Sequence, residues 1–309
     1  MRTASMLPLL ALLGCPPADD SGDPSDTAPR DTAPQDTGPE DTGPHDTGDT
    51  TACVPNGDGR IEWSEFVADP ALGIRAIYTV NTPGSTVSVP PVGGQDQGDG
   101  SFTWDFSAID SGSDTQWTIE LGLPQDAWFA AHFPTASYTV ALDASAQILG
   151  VYRVNDATEQ LELLGLATAD QAAGDVLVYA QPVVVFDFPL AVGDSWQNQQ
   201  VQADGHWEGE DYPADFGWHG TVTLHHSYDF EVDRAGDLEA PLGGFEVLRL
   251  RADQRMEAVN SFYGSFAEES MISYFYVAEC AGLVARVRST PDERDPDFDQ
   301  ASEYLRLGF

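Results

Sequence analysis

The sequence predicts an all-β fold, an antiparallel sandwich or a barrel-like domain, and three observations carry that expectation. From about Gly73 onward, short runs rich in Val, Ile, Tyr, Phe and Trp (IRAIYTV, WTIELGL, VLVYA, VVVFDF, MISYFYVA) alternate with clusters of Gly, Pro, Asp and Asn. That is the composition of short strands joined by turns. The stretch TVTLHHSYDFEVD, residues 221–233, has a period of two: Val222, Leu224, His226, Tyr228, Phe230 and Val232 fall on one face. Thr, His, Ser, Asp and Glu fall on the other, so the strand has one apolar and one wet side. Helical periodicity is scarce, and QDAWFAAHF, residues 125–133, is the one short helical candidate.

The β-rich region, residues 70–309, stands behind three N-terminal pieces. Residues 1–14 read as an export signal, with Arg2 as a short positive region and Leu7 to Leu13 as an apolar core too short to span a bilayer. The ending LLGC, residues 12–15, resembles the lipobox of bacterial lipoproteins. The resemblance implies cleavage before Cys15 and acylation of that cysteine, hence a lipid anchor in the membrane. Pro16 stands where an aspartate would argue for inner-membrane retention, so the expected location is the outer membrane. Residues 15–52 then form a tether containing DTAPR, DTAPQ, DTGPE and DTGPH. With almost nothing apolar to bury, this segment is expected to be disordered, reaching roughly 35 Å as a coil and roughly 115 Å fully extended.

Charge narrows the function classes. The chain has 51 acidic and 13 basic residues, a formal charge of −38, and every basic residue is arginine. Without lysine there is no Schiff-base chemistry and no P-loop grip. So negative a chain repels nucleic acid, which is excluded as a partner. Once Cys15 is lipidated, Cys53 and Cys280 remain, and an even pair in an exported chain reads as a disulfide. Closing so long a loop is worth about 5 kcal/mol in the chain-entropy model, as an upper estimate.

The sharpest chemical motif is CVPNGDGRIEWSEF, within residues 53–69. With Glu65 at position 12 of an EF-hand loop, Asn56 falls at 3, Asp58 at 5, Gly59 at 6, Arg60 at 7, Ile61 at 8 and Glu62 at 9. The stretch resembles EF-hand and dockerin-like loops, and the resemblance implies calcium held by Asn56, Asp58, the Arg60 carbonyl, Glu62 and Glu65. Position 1 is Val54, where an aspartate should stand, so Asp46 or Asp49 of the tether, or water, would have to complete the shell. The competing reading is a turn bent at Asp58 and Gly59, with Ile61 and Trp63 packed on the sheet and Cys53 pinning it in place.

A second cluster, HWEGEDYPADFGWHG (residues 206–220), brings His206, Glu208, Glu210 and His219 near one another in sequence. Their alternation could put a transition metal on one strand face, but the glycines and proline read equally as a loop. GGQDQGDGSF, with Asp96 and Asp99, lacks a distal carboxylate and reads as a hairpin turn. GDSW around Ser195 lacks the α/β setting of a serine hydrolase. Trp104, Trp117, Trp128, Trp207 and Trp218 are candidates for stacking on sugars or partner proteins, or for the core. GSFTWDFSAI, DFPLAVGDSW and APLGGFEVLRLR, scattered over residues 100–251, resemble patterns in uncharacterised exported β-rich proteins of Gram-negative bacteria. That resemblance implies a fold and no activity. The expectation is a cell-envelope lipoprotein with a non-catalytic binding or surface-structural β domain meeting a protein or glycan partner, its junction with the tether held by the pinned turn or, in the alternative, stiffened by calcium. A hydrolase centred on residues 206–219 and a carrier of apolar ligands are the alternatives. No linker divides the β-rich region, which is taken as one two-sheet unit, and residues 182–189 are the place where a subdomain seam could fall.

Overall fold

Period-two strands joined by tight turns close here into a ring of twelve in the computed structural model, which describes residues 53–66 and 75–308. The signal segment, Cys15 and the tether lie outside the described residues. The strands are β1 (Arg75–Asn81), β2 (Asp114–Glu120), β3 (Tyr138–Ala141), β4 (Ile148–Asn155), β5 (Gln160–Thr168) and β6 (Val176–Asp187). They continue with β7 (Ser195–Trp207), β8 (Thr221–Ala240), β9 (Gly243–Asn260), β10 (Gly264–Ala278), β11 (Gly282–Ser289) and β12 (Gln300–Leu307). Each pairs antiparallel with its successor. The circle closes where Leu305 and Leu307 of β12 meet Val80 and Tyr78 of β1. Its thinnest seam is between β2 and β3, where the single bridge Gly122–Thr139 is held by reciprocal N–H···O bonds of 2.8 and 2.9 Å. Residues 182–189 lie on β6 and the turn after it, and the strand order runs through them without a break.

The interior is a packed core, because one apolar cluster draws members from all twelve strands. Because the β12–β1 pairing closes the ring, the face that all the strands share is its inside. Tyr78, Trp117, Tyr138, Tyr152, Tyr179, Trp207, Phe230 and Phe275 supply its bulk. β8 alternates as its sequence demands: Leu224, Tyr228, Phe230 and Val232 face in, while Thr223, Ser227, Asp229 and Glu231 face out, half-buried or exposed. A transmembrane barrel has the reverse arrangement, apolar outside and polar within.

Two excursions coat parts of the outer wall. Between β1 and β2, residues 82–113 lay Val89, Val92, Trp104 and Phe106 over the outer faces of β8–β12, making a second core with Tyr274, Tyr276, Val287 and Tyr304. Within this excursion Phe102–Asp105 runs parallel to residues 236–239 of β8. The approach is so close that a Cβ at Gly236 would lie 1.8 Å from the Phe102 carbonyl, so only glycine permits it. The turn around Asp96 and Asp99 is the expected hairpin, Gln95–Asp96 pairing with Phe102 and Thr103. The second excursion, between β2 and β3, seats Phe129 and Phe133 on the wall of β4–β6. Its helical candidate is two short 3-10 turns, Pro124–Asp126 and Ala130–His132, and Pro134 halts any continuation.

An up-and-down ring sorts its turns to two ends. The start of β1, the end of β12 and the turns after β4, β6, β8 and β10 share one end. The turns after β3, β5, β7, β9 and β11 share the other.

Candidate functional site

The first end is stoppered by the EF-hand-like segment. Arg60–Ile61 pairs with Leu190–Ala191 of the turn after β6, and the one-turn helix Trp63–Phe66 follows. Ile61 and Phe66 join the interior core. Phe66 sits 4.8 Å, ring to ring, from both Phe186 and Phe188, and Trp63 caps Phe188 at 5.4 Å. The Trp63 indole donates to Asp156 in the turn after β4, at 3.2 Å. Cys53 and Cys280 form the disulfide, fixing the start of the segment to the turn between β10 and β11. The Cys280 amide donates to the Glu65 carbonyl at 3.0 Å, so both ends of the plug meet this turn.

Inside the loop, each acceptor serves the loop itself. The Asp58 amide donates to the Asn56 side chain at 2.8 Å, and the Arg60 amide donates to Asp58 at 2.9 Å. Gly59 takes φ +77°, the left-handed conformation that the sharp turn requires. Glu65 accepts from the Asn56 side-chain amide at 2.9 Å and from the Glu62 amide at 2.8 Å, while Glu62 pairs with Arg60 at 3.5 Å. A residue invisible to sequence reasoning completes the loop. Glu279 accepts from the amides of Asn56 and Gly57, the latter at 3.2 Å, so a carboxylate from the far turn faces the loop whose first position is Val54. The clue was its place beside Cys280. Among the described residues no three of His, Cys, Asp and Glu stand together in a group able to hold a metal ion. A cavity of about 210 Å³ lies between this loop and β8–β10, walled by Ile61, Phe245, Leu248 and Val277 with Glu246 and Glu279 at its edge.

The histidine cluster lies at the opposite end, in the connection from β7 to β8. Glu208 and Gly209 form a two-residue turn, both at positive φ, that reverses β7 into Glu210–Tyr212. His206 Nδ1 stands 2.9 Å from Asp211, and its Nε2 is 3.9 Å from Asp175. His219 instead stacks on Trp218, with ring centroids 3.5 Å apart. Glu208 and Glu210 are exposed, and the four residues of the alternative metal cluster are divided between two turns. His226, which the alternation of residues 221–233 puts on the apolar face, is buried, its Nδ1 3.0 Å from the Tyr179 hydroxyl. His132 is exposed on its 3-10 turn.

What this end gathers is aromatic surface. Trp104, Trp117 and Trp207 are buried, and Trp128 is half-buried with its indole donating to the Thr168 carbonyl at 2.9 Å. Trp218, by contrast, is 81% exposed. With it stand Phe216, Phe262 (69% exposed), Tyr263 (71%) and Phe266, and among the described residues these five are all the exposed aromatic side chains. Two adjoining turns hold them. Phe216 precedes the 3-10 turn Gly217–His219, and Phe262 and Tyr263 form the tip of the β9–β10 hairpin. Phe266 is aimed outward by a β-bulge: Ala258 pairs with Ala267 and Val259 with Ser265, which leaves it without an opposite number. Gly220, at φ +93°, lies against the Phe262 ring, and a Cβ there would come within 2.4 Å of it. Asn260 ties the turns together, accepting from the amides of Phe262 and Tyr263 and donating to the His219 carbonyl. The sequence signal was SFYGSF, three aromatics where a hairpin reverses.

The fold also encloses charge, in arginine–carboxylate pairs. Arg249, Arg286, Arg288 and Arg306 are buried, each with a carboxylate partner: Asp233 for the first, Glu303 for the next two, Asp114 for the last. Burial disfavours the Glu303 charge, but Arg286 and Arg288 outweigh it and hold the carboxyl below its usual range. Burial likewise pulls the Arg288 guanidinium down to about 10, with Glu303 opposing.

The fold and its two ends define a twelve-stranded up-and-down barrel, stoppered by its own N-terminal segment and tipped with aromatics at the other end. No family model, curated protein or solved structure matches the chain.

Proposed function

We propose that this chain is an outer-membrane lipoprotein, anchored through Cys15, whose barrel is a non-catalytic binding module that docks a protein or glycan partner through the aromatic tip. The observation that carries the reading is the segregation of every exposed aromatic among the described residues to the end opposite the plug. The chain enters the barrel at Cys53, on the plug end, so a tether leading from Cys15 leaves the tip facing away from the anchor. Exposed aromatic patches on otherwise polar proteins mark interaction sites, and Trp and Tyr are the side chains that dominate such contacts. In this reading the plug is structural. Calcium, if taken there, would draw on Asn56, Asp58, the Arg60 carbonyl, Glu62 and Glu65 and would stiffen the same junction.

The alternatives have less behind them. A hydrolase centre would need His206, Glu208, Glu210 and His219 in one place, and the first and last serve different turns. A carrier would need room in the barrel, where large aromatic side chains already fill the interior cluster. The test is a photo-crosslinking residue placed at 218 and, separately, at the wall position Gln197, in intact envelopes. A discrete adduct from 218 alone is expected. Equal adducts from both positions, or none from either, would remove the tip as the docking end. Loss of palmitate labelling in Cys15→Ser tests the anchor independently.

A further inference from the structure

We infer that the tip takes a basic protein segment, an arginine- or lysine-bearing loop or tail, rather than a neutral or acidic surface. The inference rests on the docking-end reading and names the chemistry of the partner. Its basis is the charge that surrounds the aromatic side chains. Residues 204–220 contain five carboxylates (Asp204, Glu208, Glu210, Asp211, Asp215) and residues 257–269 contain three (Glu257, Glu268, Glu269), with no arginine or lysine in either stretch. Arg255, on β9 between the two stretches, is shared between Glu268 at 2.9 Å and Glu257 at 3.6 Å. Among the described residues Glu208 and Glu210 pair with no arginine, and they lie close enough to Tyr212 that burial and then these two charges push its phenol above its usual range.

Aromatic faces and carboxylates are the two groups that recognise guanidinium and ammonium together. The ring face attracts the cation through its quadrupole, and the carboxylate attracts it by Coulomb force and hydrogen bonds. The wall already contains such contacts: Arg249 lies 4.3 Å from the Tyr274 ring centre, Arg306 4.0 Å from Tyr304 and Arg234 4.5 Å from Phe102. At the tip the aromatics are in place beside Glu208 and Glu210, which pair with no arginine among the described residues. A partner carrying that cation would also be steered in by the net charge of −38, and an acidic partner would be repelled.

Any strongly acidic protein attracts basic peptides weakly, so the test must separate the tip from the bulk charge. Binding of a fluorescein-labelled nona-arginine peptide would be measured by anisotropy across a salt series, for the parent protein and for Trp218→Ala with Phe262→Ala. The double variant removes two exposed rings and leaves the charge unchanged. About tenfold weaker binding by the variant at each salt concentration is expected, as the loss of two cation–π contacts. Equal affinity would overturn the inference, because attraction would then come from the general acidity alone. A second arm, Glu208→Gln with Glu210→Gln, should weaken binding and flatten its salt dependence, and an unchanged salt slope would count against the inference. A neutral oligosaccharide, maltoheptaose, serves as the competing probe. Ring-dependent binding of the sugar, with arginine binding indifferent to the rings, would overturn the basic partner while leaving the docking end intact. Indifference of both probes to the rings would overturn both.

Discussion

The side-chain amide of Asn260 donates to the carbonyl of His219 at 3.1 Å and accepts from the amides of Phe262 and Tyr263 at 2.9 and 3.2 Å, so one buried residue sets two aromatic turns against each other. Removing it leaves backbone groups unpartnered in both turns, at a cost of about 1–3 kcal/mol. Asn260→Ala should therefore weaken docking at the tip without disturbing the barrel. Amide hydrogen exchange would show faster exchange confined to residues 216–222 and 260–265, and exchange rising throughout the ring would contradict the local role.

A neighbouring substitution tests the same surface through shape. Gly220→Val would place a β-branched side chain at φ +93°, 2.4 Å from the Phe262 ring at its first carbon. The ring must turn away, so we expect loss of tip binding with roughly 1–3 kcal/mol of strain. Circular dichroism of the barrel should be unchanged while binding falls, and retained binding would show that Phe262 is not part of the contact.

At the other end, the disulfide fixes a short segment whose other attachments are a two-residue strand pairing, a few hydrogen bonds and the packing of Ile61, Trp63 and Phe66 on the core. Cys53→Ser with Cys280→Ser should lower stability by at most about 5 kcal/mol in the chain-entropy model. It should also free the plug before the ring. Limited proteolysis is expected to cut residues 53–66 first, leaving a resistant core from about residue 75 onward. Simultaneous loss of plug and core would mean that the barrel cannot stand without its stopper.

What the sequence disclosed depended on the range over which the information acts. The alternation in residues 221–233 marked the inward and outward faces of β8 because side-chain direction depends only on the neighbouring residue. The pairing of Cys53 with Cys280 followed from there being two candidates left. Sandwich and barrel could not be told apart, because both have the same period. They differ only in whether Leu305 finds Val80 across the gap, a contact distant in sequence. Glu279 was hidden for the same reason, its role being conferred by the disulfide beside it. The tip escaped notice differently: aromatics in β-rich chains are usually buried, and nothing local to SFYGSF separates an exposed Phe262 from a core one. Trp218 was among five candidate tryptophans, and only burial singles it out.

The EF-hand-like loop yields a prediction with two separable outcomes. Glu65 accepts from Asn56 and from the Glu62 amide, an arrangement that resembles a capping box on the helix Trp63–Phe66. On that ground Glu65→Ala should destabilise the plug by about 1–2 kcal/mol with or without calcium. Thermal melts in chelator and in millimolar calcium decide the matter. The same loss in both conditions makes the loop a hydrogen-bonded stopper. A calcium-dependent rise in Tm that Glu65→Gln abolishes makes it a cation site, with Glu279 as the candidate for the role that Val54 cannot fill.

His226 gives the fold a pH dependence whose sign can be worked out. It lies inside the barrel beside the Tyr179 and Tyr228 hydroxyls, and burial, with a smaller contribution from His225, pulls it down to about 4 from the usual 6.5. The folded state thus binds fewer protons than the unfolded chain between those values, so stability is fully present above pH 6.5 and declines as pH falls toward 4. The loss should reach about 3 kcal/mol. Glu303 also has a lowered value in the folded state, so its contribution is present at higher pH and is lost in a more acid range, below the usual carboxylate titration. Urea midpoints measured from pH 7.5 down to 4.5 should therefore fall for the parent protein and fall less for His226→Phe, which keeps the ring and removes the titration. Parallel curves would place the acid sensitivity elsewhere, among the surface carboxylates, and would mean that the barrel interior admits a proton more readily than its packing implies.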